Sequence, residues 1–292
     1  MRPILRPGTH VLRRGAGEVQ VGLDPRTALV LPDSPVVRDS LRLLGTGSDL
    51  AAYDEAGVLD VLAGHDQLLD ERELTPLLGA DPDAATTTAA LARARGADAS
   101  RLRGGRRRCR TEVRTFGHPA ATALRDRFVD LARSAGLPVA GPARVRSPDC
   151  AVLLGVGEPD RELLDGWARA GTAHLPVRLT EGRAVVGPFV APGRTACLRC
   201  IDGHCADADP SWPLLVRQYA AASSRDRPDG VPEPVDPLLA ALAIAWAARD
   251  LTAYVDGQRP STWSATVTLH PEPGHVETRA WLRHPACACT WE

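Results

Sequence analysis

The stretch AVLLGVGEPDRELLDGWARAGTAHLPVRL, residues 151–179, contains the pattern that decides the fold. Its first five residues are apolar and predict a buried strand over 151–155, and the amphipathic segment that follows predicts a helix over 160–170. A second apolar run predicts a strand over 175–179. Strands that alternate with helices of this length are typical of a parallel, Rossmann-like sheet with helices packed on its faces.

The flanking segments continue this alternation. Upstream, the pattern predicts a strand over 111–115 and an amphipathic helix over 119–135. Downstream, it predicts a strand over 184–190, a long apolar helix over 236–255, and a hairpin of strands over 262–270 and 275–281. We therefore predict one α/β domain over residues 111–292.

The N-terminal residues 1–80 have a different pattern of short segments. Turn residues separate three short apolar runs, which predicts an antiparallel meander of strands over 10–13, 19–23 and 27–31. A capping signal before Pro35 and the apolar residues after it predict short helices starting at 35, near 49–54 and over 56–63, and a return strand at 68–69. Three small strands with three small helices predict a winged-helix domain.

Between these regions, residues 81–110 are rich in Ala, Thr, Asp, Gly and Arg, so we predict a linker there. Its end is basic, with arginines at positions 101, 103, 106, 107, 108 and 110. The simplest interpretation of such a run is a solvated connector whose charges bind nothing specific.

The seven cysteines comprise two closely spaced pairs and three single residues. Cys197 and Cys200 form a C-x-x-C motif, and Cys287 and Cys289 form a C-x-C motif near the end of the sequence. Two thiol pairs far apart in sequence are typical of a structural zinc site, because four thiolates saturate a tetrahedral ion and leave no position for substrate. A redox C-x-x-C should instead open a helix directly after a strand, whereas this motif follows a turn. We therefore predict that these four residues bind Zn²⁺.

The other cysteines have weaker signals. Cys205 and its neighbour His204 lie close to the first pair and could replace one of its ligands. Cys109 and Cys150 are interpreted as small buried or linker residues, because no sequence feature places a base beside either thiol.

Composition excludes several classes of function. The chain has 292 residues, of which 44% are hydrophobic and 24% charged, which is typical of a globular protein, and it has no uninterrupted apolar run of about eighteen residues that could span a bilayer. The N-terminal residues lack the apolar core of a secretory signal, so we expect a reducing, cytoplasmic setting. A net charge of -1 gives no basis for a nucleic-acid or membrane partner.

The chain contains no lysine, so every fixed side-chain cation is an arginine. This excludes a Walker-type phosphate lysine, a Schiff-base lysine, and a lysine that orients ATP for adenylation. Gly155 and Gly157 form half of a phosphate-binding loop, but Glu158 and Asp160 follow them, and these carboxylates would repel phosphate.

Three segments resemble the leader-peptide-binding proteins of azole- and azoline-forming ribosomal peptide (TOMM) pathways, which are the ThiF-like partners of YcaO cyclodehydratases. Residues 187–189 (GPF) and 194–200 (RTACLRC) resemble the strand and proline-glycine turn that lead into the C-L-x-C motif of that family. Residues 284–289 (HPACAC) resemble its terminal H-P-x-C-x-C motif. The N-terminal meander and helices resemble its small PqqD-like winged-helix domain.

The resemblance implies an α/β protein with a PqqD-like winged-helix domain over 1–80, a linker over 81–110, and a degenerate Rossmann-like domain of the ThiF adenylating-enzyme type over 111–292. It also implies a function in bacteriocin-type biosynthesis. The chain would bind the leader of a precursor peptide and deliver it to a YcaO cyclodehydratase for azoline or azole formation, without catalysis of its own. Since ThiF-like relatives often pair, a homodimer is a further expectation.

In that family the leader adds a strand to the winged-helix domain. Here it would lie along residues 27–31 and against the helix at 56–63. The groove candidates are Ala28, Val30, Val58, Leu59 and Leu62. Each of them could instead fill the small core of the domain.

Two other functions remain open. The chain could be an ATP-dependent adenylating enzyme of the ThiF type that uses arginines alone, or a winged-helix regulator of transcription. DNA binding is disfavoured because residues 49–63 carry four acidic side chains and no arginine, so this face would repel phosphates.

Overall fold

The structure is a computed structural model that describes residues 2–15, 17–44, 57–79, 82–141, 147–225, 228–231 and 233–290. The chain divides into two compact units, Met1–Gly104 and Gly105–Glu292. Each unit has a hydrophobic core of its own.

The first unit contains two small antiparallel sheets and several helices. Its elements are, in chain order, β1 (Pro3–Leu5), β2 (Val11–Arg13), β3 (Glu18–Val21), β4 (Leu29–Pro32), α1 (Pro35–Leu44), α2 (Val58–Gly64), β5 (Leu68–Asp70), α3 (Glu71–Leu78), α4 (Pro82–Arg95) and the start of α5 (Ala99–Arg108). One sheet has the order β2-β3-β4, and the other pairs β1 with β5.

The predicted meander and the helix starting at Pro35 are confirmed. Alternation along β3 buries Val19 and Val21 against α1, where Val37 and Leu41 lie in the same cluster. The predicted helix over 56–63 and the return at 68–69 correspond to α2 and β5. The partner of β5, β1, was not predicted because three residues give too short a pattern. The winged-helix assignment remains a prediction, and the predicted helix at 49–54 lies outside the described residues.

The segment predicted as a linker over 81–110 forms helices α4 and α5 instead. Leu91, Ala92 and Leu102 are buried in one cluster with Leu69 and Leu74. The many alanines and arginines of this segment have high helix propensity, and a few leucines suffice to attach the helices to the unit. The Gly, Asp and Thr residues that suggested a connector lie within or between these helices.

The second unit is built on a seven-stranded mixed sheet. Its elements are β6 (Thr111–Gly117), α6 (Ala121–Ser134), β7 (Val139–Ala140), β8 (Cys150–Val156), α7 (Arg161–Arg169), β9 (Ala173–Thr180), β10 (Arg183–Val186), α8 (Leu198–Ala208), α9 (Trp212–Ser223), α10 (Pro237–Val255), β11 (Ala265–Leu269) and β12 (Val276–Ala280). The strand order is β12-β11-β10-β9-β8-β6-β7. Strands β6 to β9 are parallel, and the others pair antiparallel.

Strand β8 lies at the centre of this unit, and all of its residues are buried. Val152 and Leu154 face one core, which also contains residues of α6 and α10. Ala151 and Leu153 face the opposite core with Trp167 of α7. Both faces of the strand are therefore covered, which is why its sequence is a continuous apolar run. The predicted α/β class is confirmed.

Helix α10 is long and apolar enough to cross a membrane by length and composition, but it packs on the sheet. Ala243, Ala247 and Leu251 are buried in the main core. Asp236 caps the helix, since its carboxylate accepts hydrogen bonds from two backbone N–H groups at 2.7 and 3.1 Å. The apolar inward face of α10 is thus explained by packing within the protein.

The basic end of the predicted linker makes specific contacts in the second unit. Arg106 forms an ion pair with Asp256 at 2.6 Å, in which both side chains are largely buried, and donates to the carbonyl of Ala135 at 2.9 Å. Arg110 pairs with Asp149 at 2.7 Å. These two arginines therefore have structural partners and are not simply solvated.

Candidate metal centre, crevice and peptide-binding edge

Four thiols from two distant parts of the chain meet in the second unit. Cys197 is the N-terminal cap of α8 and Cys200 lies in its first turn, while Cys287 and Cys289 belong to the tail that follows β12. The C-x-x-C motif therefore does open a helix, which was not predicted, although a loop rather than a strand precedes it. The Sγ atoms of Cys197 and Cys200 are 3.7 Å apart, those of Cys197 and Cys287 3.6 Å, and those of Cys200 and Cys289 3.2 Å.

This spacing fits a tetrahedral metal ion. All four sulfurs lie within 4.8 Å of one another. A Zn–S bond of about 2.3 Å sets an edge of about 3.8 Å between the sulfurs of a tetrahedron, whereas a disulfide needs about 2.05 Å. Three of the four cysteines are buried and all four are free of disulfides. The cluster can therefore hold a metal ion that prefers sulfur ligands.

The pKa shifts of the clustered thiols also favour a bound cation. The pKa of Cys200 is lowered to about 4, chiefly by a hydrogen bond from the Cys197 thiol and further by the backbone N–H of His284. The pKa of Cys197 is raised, because its proton is held in the bond to Cys200 and because the thiol is buried. Burial and the neighbouring sulfurs raise the pKa of Cys289 to about 12. Four thiols this close cannot all ionise unless a positive ion lies between them.

Side chains of the tail fix the second cysteine pair against the fold. Arg283 donates to the carbonyls of Gly193 and Cys289, both at 2.7 Å, and so joins the loop before α8 to the tail. The backbone N–H of Trp281 donates to the carbonyl of Ser264 at 2.8 Å. These bonds help to position the second thiol pair beside the first.

His204, one of the two residues that could replace a ligand, has another partner: its ring contacts the carbonyl of Leu282 at 3.0 Å. A second histidine, His284, lies beside it and contacts the carboxylate of Asp207 at 3.0 Å. The two rings meet edge to face at 4.9 Å. Cys205 is not among the four sulfurs that converge.

A crevice opens at the carboxyl ends of β6 and β8, the position at which open α/β sheets bind ligands. It has a volume of about 1040 Å³, and its walls include Gly117, Glu158, Arg161 and Asp202. Gly117 must be glycine, because its φ is 73° and a Cβ there would lie 1.9 Å from the carbonyl oxygen of Val156. The glycine allows the ends of β6 and β8 to approach closely at the floor of the crevice.

Three charged side chains that line this crevice, Glu158, Arg161 and Asp202, form a connected network with Arg178. Glu158 accepts from Arg161 at 2.9 Å and from Arg178 at 2.6 Å. Asp202 accepts from the Nε and Nη2 atoms of Arg161 at 2.7 and 3.0 Å, and from the indole of Trp212 at 3.1 Å. All four charged side chains are less than one fifth exposed. We call them the crevice network.

The crevice network determines which ligands the crevice accepts. Arg161 directs all three of its nitrogens to carboxylates, and its Nη1 also donates to the carbonyl of Pro159. A phosphate would have to displace Glu158 or Asp202 from these bonds and would meet the carboxylates left behind. Arg161 is therefore an unfavourable partner for a phosphate, while Arg199 and Arg217 also line the crevice. The sequence predicted that Glu158 would repel a phosphate. It gave no indication that Asp202 does the same, because Asp202 lies 41 positions after Arg161, in helix α8.

The structure separates the predicted peptide-groove residues into two groups. Val58 and Leu62 are 2% and 0% exposed and belong to the hydrophobic core of the first unit. Ala28 and Leu59 are half-buried, and Val30 is 42% exposed on β4, an edge strand of its sheet. Only these three remain accessible to a peptide. Two exposed valines on α1 and α2, at positions 36 and 61, were not predicted.

No protein-family model matches the sequence, and no curated protein is significantly similar to it. Several solved structures match almost the whole chain. A heterocyclase in complex with substrate and cofactor has a TM-score of 0.67 at 15% identity, covering 96% of this chain and 38% of that one. The heterocyclase TruD has a TM-score of 0.66 at 16% identity, covering 99% and 42%.

A crystal structure of E. coli MccB with ATP has a TM-score of 0.61 at 13% identity, covering 99% of this chain and 100% of MccB. The chain has the fold of these heterocyclases and of MccB. It spans about two fifths of the two heterocyclases and the full length of MccB. The mixed sheet with helices on both faces also fits the predicted ThiF-like fold. At these identities the likeness concerns the fold alone, and the function must be argued from the sites.

The crevice network leads to a prediction about stability. Replacing Asp202 by asparagine (Asp202→Asn) should lower the free energy of unfolding by about 3 kcal/mol at neutral pH, because part of the charge of Arg161 is left buried without a partner. Burial alone would raise the pKa of Asp202, but the hydrogen bonds and charge of Arg161 outweigh it, and the pKa lies below 3.8. Such a carboxylate stabilises the fold above its unfolded pKa and loses this effect as pH falls through its folded pKa.

The difference between wild type and Asp202→Asn should therefore shrink as pH falls below 3.8. Urea unfolding from neutral pH to about pH 3 measures this. Asp126→Asn is the matched control, because Asp126 is exposed and pairs with its neighbour Arg125 on the protein surface. A loss that is equal for both variants, or one that does not change with pH, would contradict the assigned network.

Proposed function

We propose that this protein binds the leader segment of a ribosomally synthesised precursor peptide and delivers it to a YcaO cyclodehydratase, which forms azolines or azoles in the core of the peptide. The observation that carries the proposal is that β4 is an edge strand, with no further strand paired to it among the described residues, and that it carries the exposed Val30. The likeness of fold to two heterocyclases supports it. One of these was solved with its substrate.

A peptide would bind to this edge by strand addition. The main-chain groups on the free side of β4 would give affinity that does not depend on side chains, and the apolar groups beside it would give selectivity. Val30 lies on the strand itself, while Leu59 on α2 packs against the same core as Leu29. We propose Ala28, Val30 and Leu59 as the contacts, with Val58 and Leu62 supporting them from the core.

We propose that the protein makes no adenylate of its own. MccB has the same fold and was solved with ATP, so an adenylating function is the principal alternative. The absence of lysine and the crevice network both argue against it in this chain. Exchange of pyrophosphate into ATP by the purified protein, dependent on added peptide, would favour the alternative.

We also propose that the four-cysteine cluster binds Zn²⁺ as a structural ion. Cys197, Cys200, Cys287 and Cys289 would hold it, and four thiolates leave no open position for a substrate. Bound zinc would supply the positive charge that these thiols need in order to ionise together. Free thiols in this number agree with a cytoplasmic location. A homodimer, as in related ThiF-like proteins, is part of the same proposal.

The zinc proposal predicts about one zinc ion per chain in protein purified from medium that contains zinc. Cys200→Ser should reduce zinc content to a small fraction and lower the thermal midpoint, because three sulfurs bind zinc more weakly and the tail loses its attachment. Elemental analysis with a thermal melt measures both. Cys205→Ser is the matched control, a thiol in the same helix but outside the cluster. Zinc-free wild type, or equal loss in both variants, would refute the assignment.

Peptide binding is tested with synthetic leaders from short precursors encoded beside this protein, labelled with a fluorophore and titrated with the full chain in the absence of nucleotide. Val30→Ser should weaken binding about tenfold, since it removes roughly one buried valine side chain. Val11→Ser is the matched control, because Val11 is 41% exposed on β2, the opposite edge of the same sheet.

Fluorescence polarisation gives both affinities. Equal affinity for wild type and both variants would reject β4 as the binding edge. Failure of every neighbouring leader to bind would reject the recruiting function itself.

A further inference from the structure

Two thiols meet in the second unit outside the metal centre. The Sγ atoms of Cys109 and Cys150 are 3.4 Å apart. Cys109 follows α5 directly, and Cys150 is the first residue of β8. The parallel pairing of β6 with β8 places Thr111 opposite Cys150, which brings the preceding turn and its thiol to the start of β8. The sequence predicted small buried or linker residues at both positions, because no sequence feature placed a base beside either thiol; their contact joins positions 41 residues apart.

The two thiols differ in access to solvent. Cys109 is partly exposed, whereas Cys150 is completely buried. The hydroxyl of Thr111 lies 3.6 Å from the first sulfur and 3.4 Å from the second, so it bridges the pair. An accessible thiol backed by a second thiol is the arrangement in which an oxidised cysteine is resolved to a disulfide.

The electrostatics favour Cys109 as the reactive member. Its pKa is lowered to about 7, chiefly because the Cys150 thiol donates a hydrogen bond to it. The charge of Arg110 acts in the same direction, and that of Asp149 opposes it. The pKa of Cys150 is raised by the same bond and by burial, so it keeps its proton. A substantial fraction of Cys109 is therefore thiolate at neutral pH, which is the form that reacts.

We propose that Cys109 and Cys150 are a reversible redox pair that a hydroperoxide oxidises to a disulfide. The Cys109 thiolate attacks the terminal oxygen of the peroxide, the O–O bond breaks, and the sulfenic acid forms. The hydroxide or alkoxide that leaves takes a proton from solvent and becomes water or an alcohol. The Cys150 sulfur then attacks that of Cys109. The S–S bond forms, the S–O bond breaks, and the oxygen departs as water with the proton of Cys150. Two thiols have lost two hydrogens, and a cellular dithiol reverses the reaction.

The geometry needs little change for this step, because the sulfurs only have to approach from 3.4 Å to about 2.05 Å. The disulfide would link the residue after α5 to β8 and close a loop that contains β6, α6 and β7. It should therefore stabilise the second unit, since it restricts the unfolded chain. The remaining cysteine outside the cluster, Cys205, has a pKa raised chiefly by burial and provides a contrast.

To test this, the full chain is purified in the presence of zinc and treated with a few equivalents of hydrogen peroxide at neutral pH. Free thiols are then alkylated, and the protein is digested with trypsin under non-reducing conditions for peptide mapping by mass spectrometry. Trypsin releases Cys109 in the dipeptide 109–110 and Cys150 in the peptide 147–161, because arginines precede and end both. We expect the second peptide to gain the mass of the first less two hydrogens. Dithiothreitol should reverse this, and the oxidised protein should melt at a higher temperature than the reduced one.

Variants separate this pair from other thiol chemistry. Cys109→Ser and Cys150→Ser should each abolish the linked peptide, while Cys205→Ser should form it at the wild-type rate. The proposal is overturned if wild type retains both thiols under peroxide, if Cys109 goes on to sulfinic acid without linkage, or if the disulfide joins other cysteines. Because the decisive reading is made on wild type, it does not depend on the folding of any variant.

Discussion

The convergence of four thiols at the start of α8 is the constraint on which the positions of this helix, the C-terminal tail and the crevice network depend. Cys197 caps this helix and Cys200 lies in its first turn, so any ion held there fixes both the helix start and the tail that carries Cys287 and Cys289. Asp202 lies in the next turn of the same helix and reaches across to Arg161 at the start of α7. The metal centre and the crevice network are therefore mechanically linked through one short helix.

The crevice network shows that this chain places its own set of charged side chains at the strand ends of the shared fold. The chain keeps the parallel strands, the close approach at Gly117 and a large crevice at the strand ends. Arg161 and Arg178 form ion pairs there with Glu158 and Asp202. A fold shared with MccB thus need not imply the same chemistry, because function depends on the side chains placed in the crevice. Under the proposed function, this unit would serve as a rigid scaffold, and the edge of β4 in the first unit would recognise the peptide.

Local pattern was sufficient for much of the fold. The apolar run of β8, the capping signal before Pro35 and the three-stranded meander all appear in short windows. The spacing of the two cysteine pairs predicted the cluster of four thiols. What could not be predicted depends on contacts distant in sequence. β1 is recognisable only beside β5, and α4 and α5 resemble a linker until their few leucines meet Leu69 and Leu74. No local sequence pattern indicates that Arg161 pairs with Asp202 or that Cys109 contacts Cys150, because each contact joins positions 41 residues apart.

Under the proposed function, a peptide binds at the edge of β4 and not in the strand-end crevice. Hydrogen exchange measured by mass spectrometry on the full chain, with and without a neighbouring leader peptide, tests this most directly. We expect slower exchange in Leu29–Pro32 and Val58–Gly64, with no change in α7, α8 and α9 around the crevice. Protection of those three helices, with β4 unchanged, would overturn the proposal and place the ligand where an adenylating enzyme would bind it.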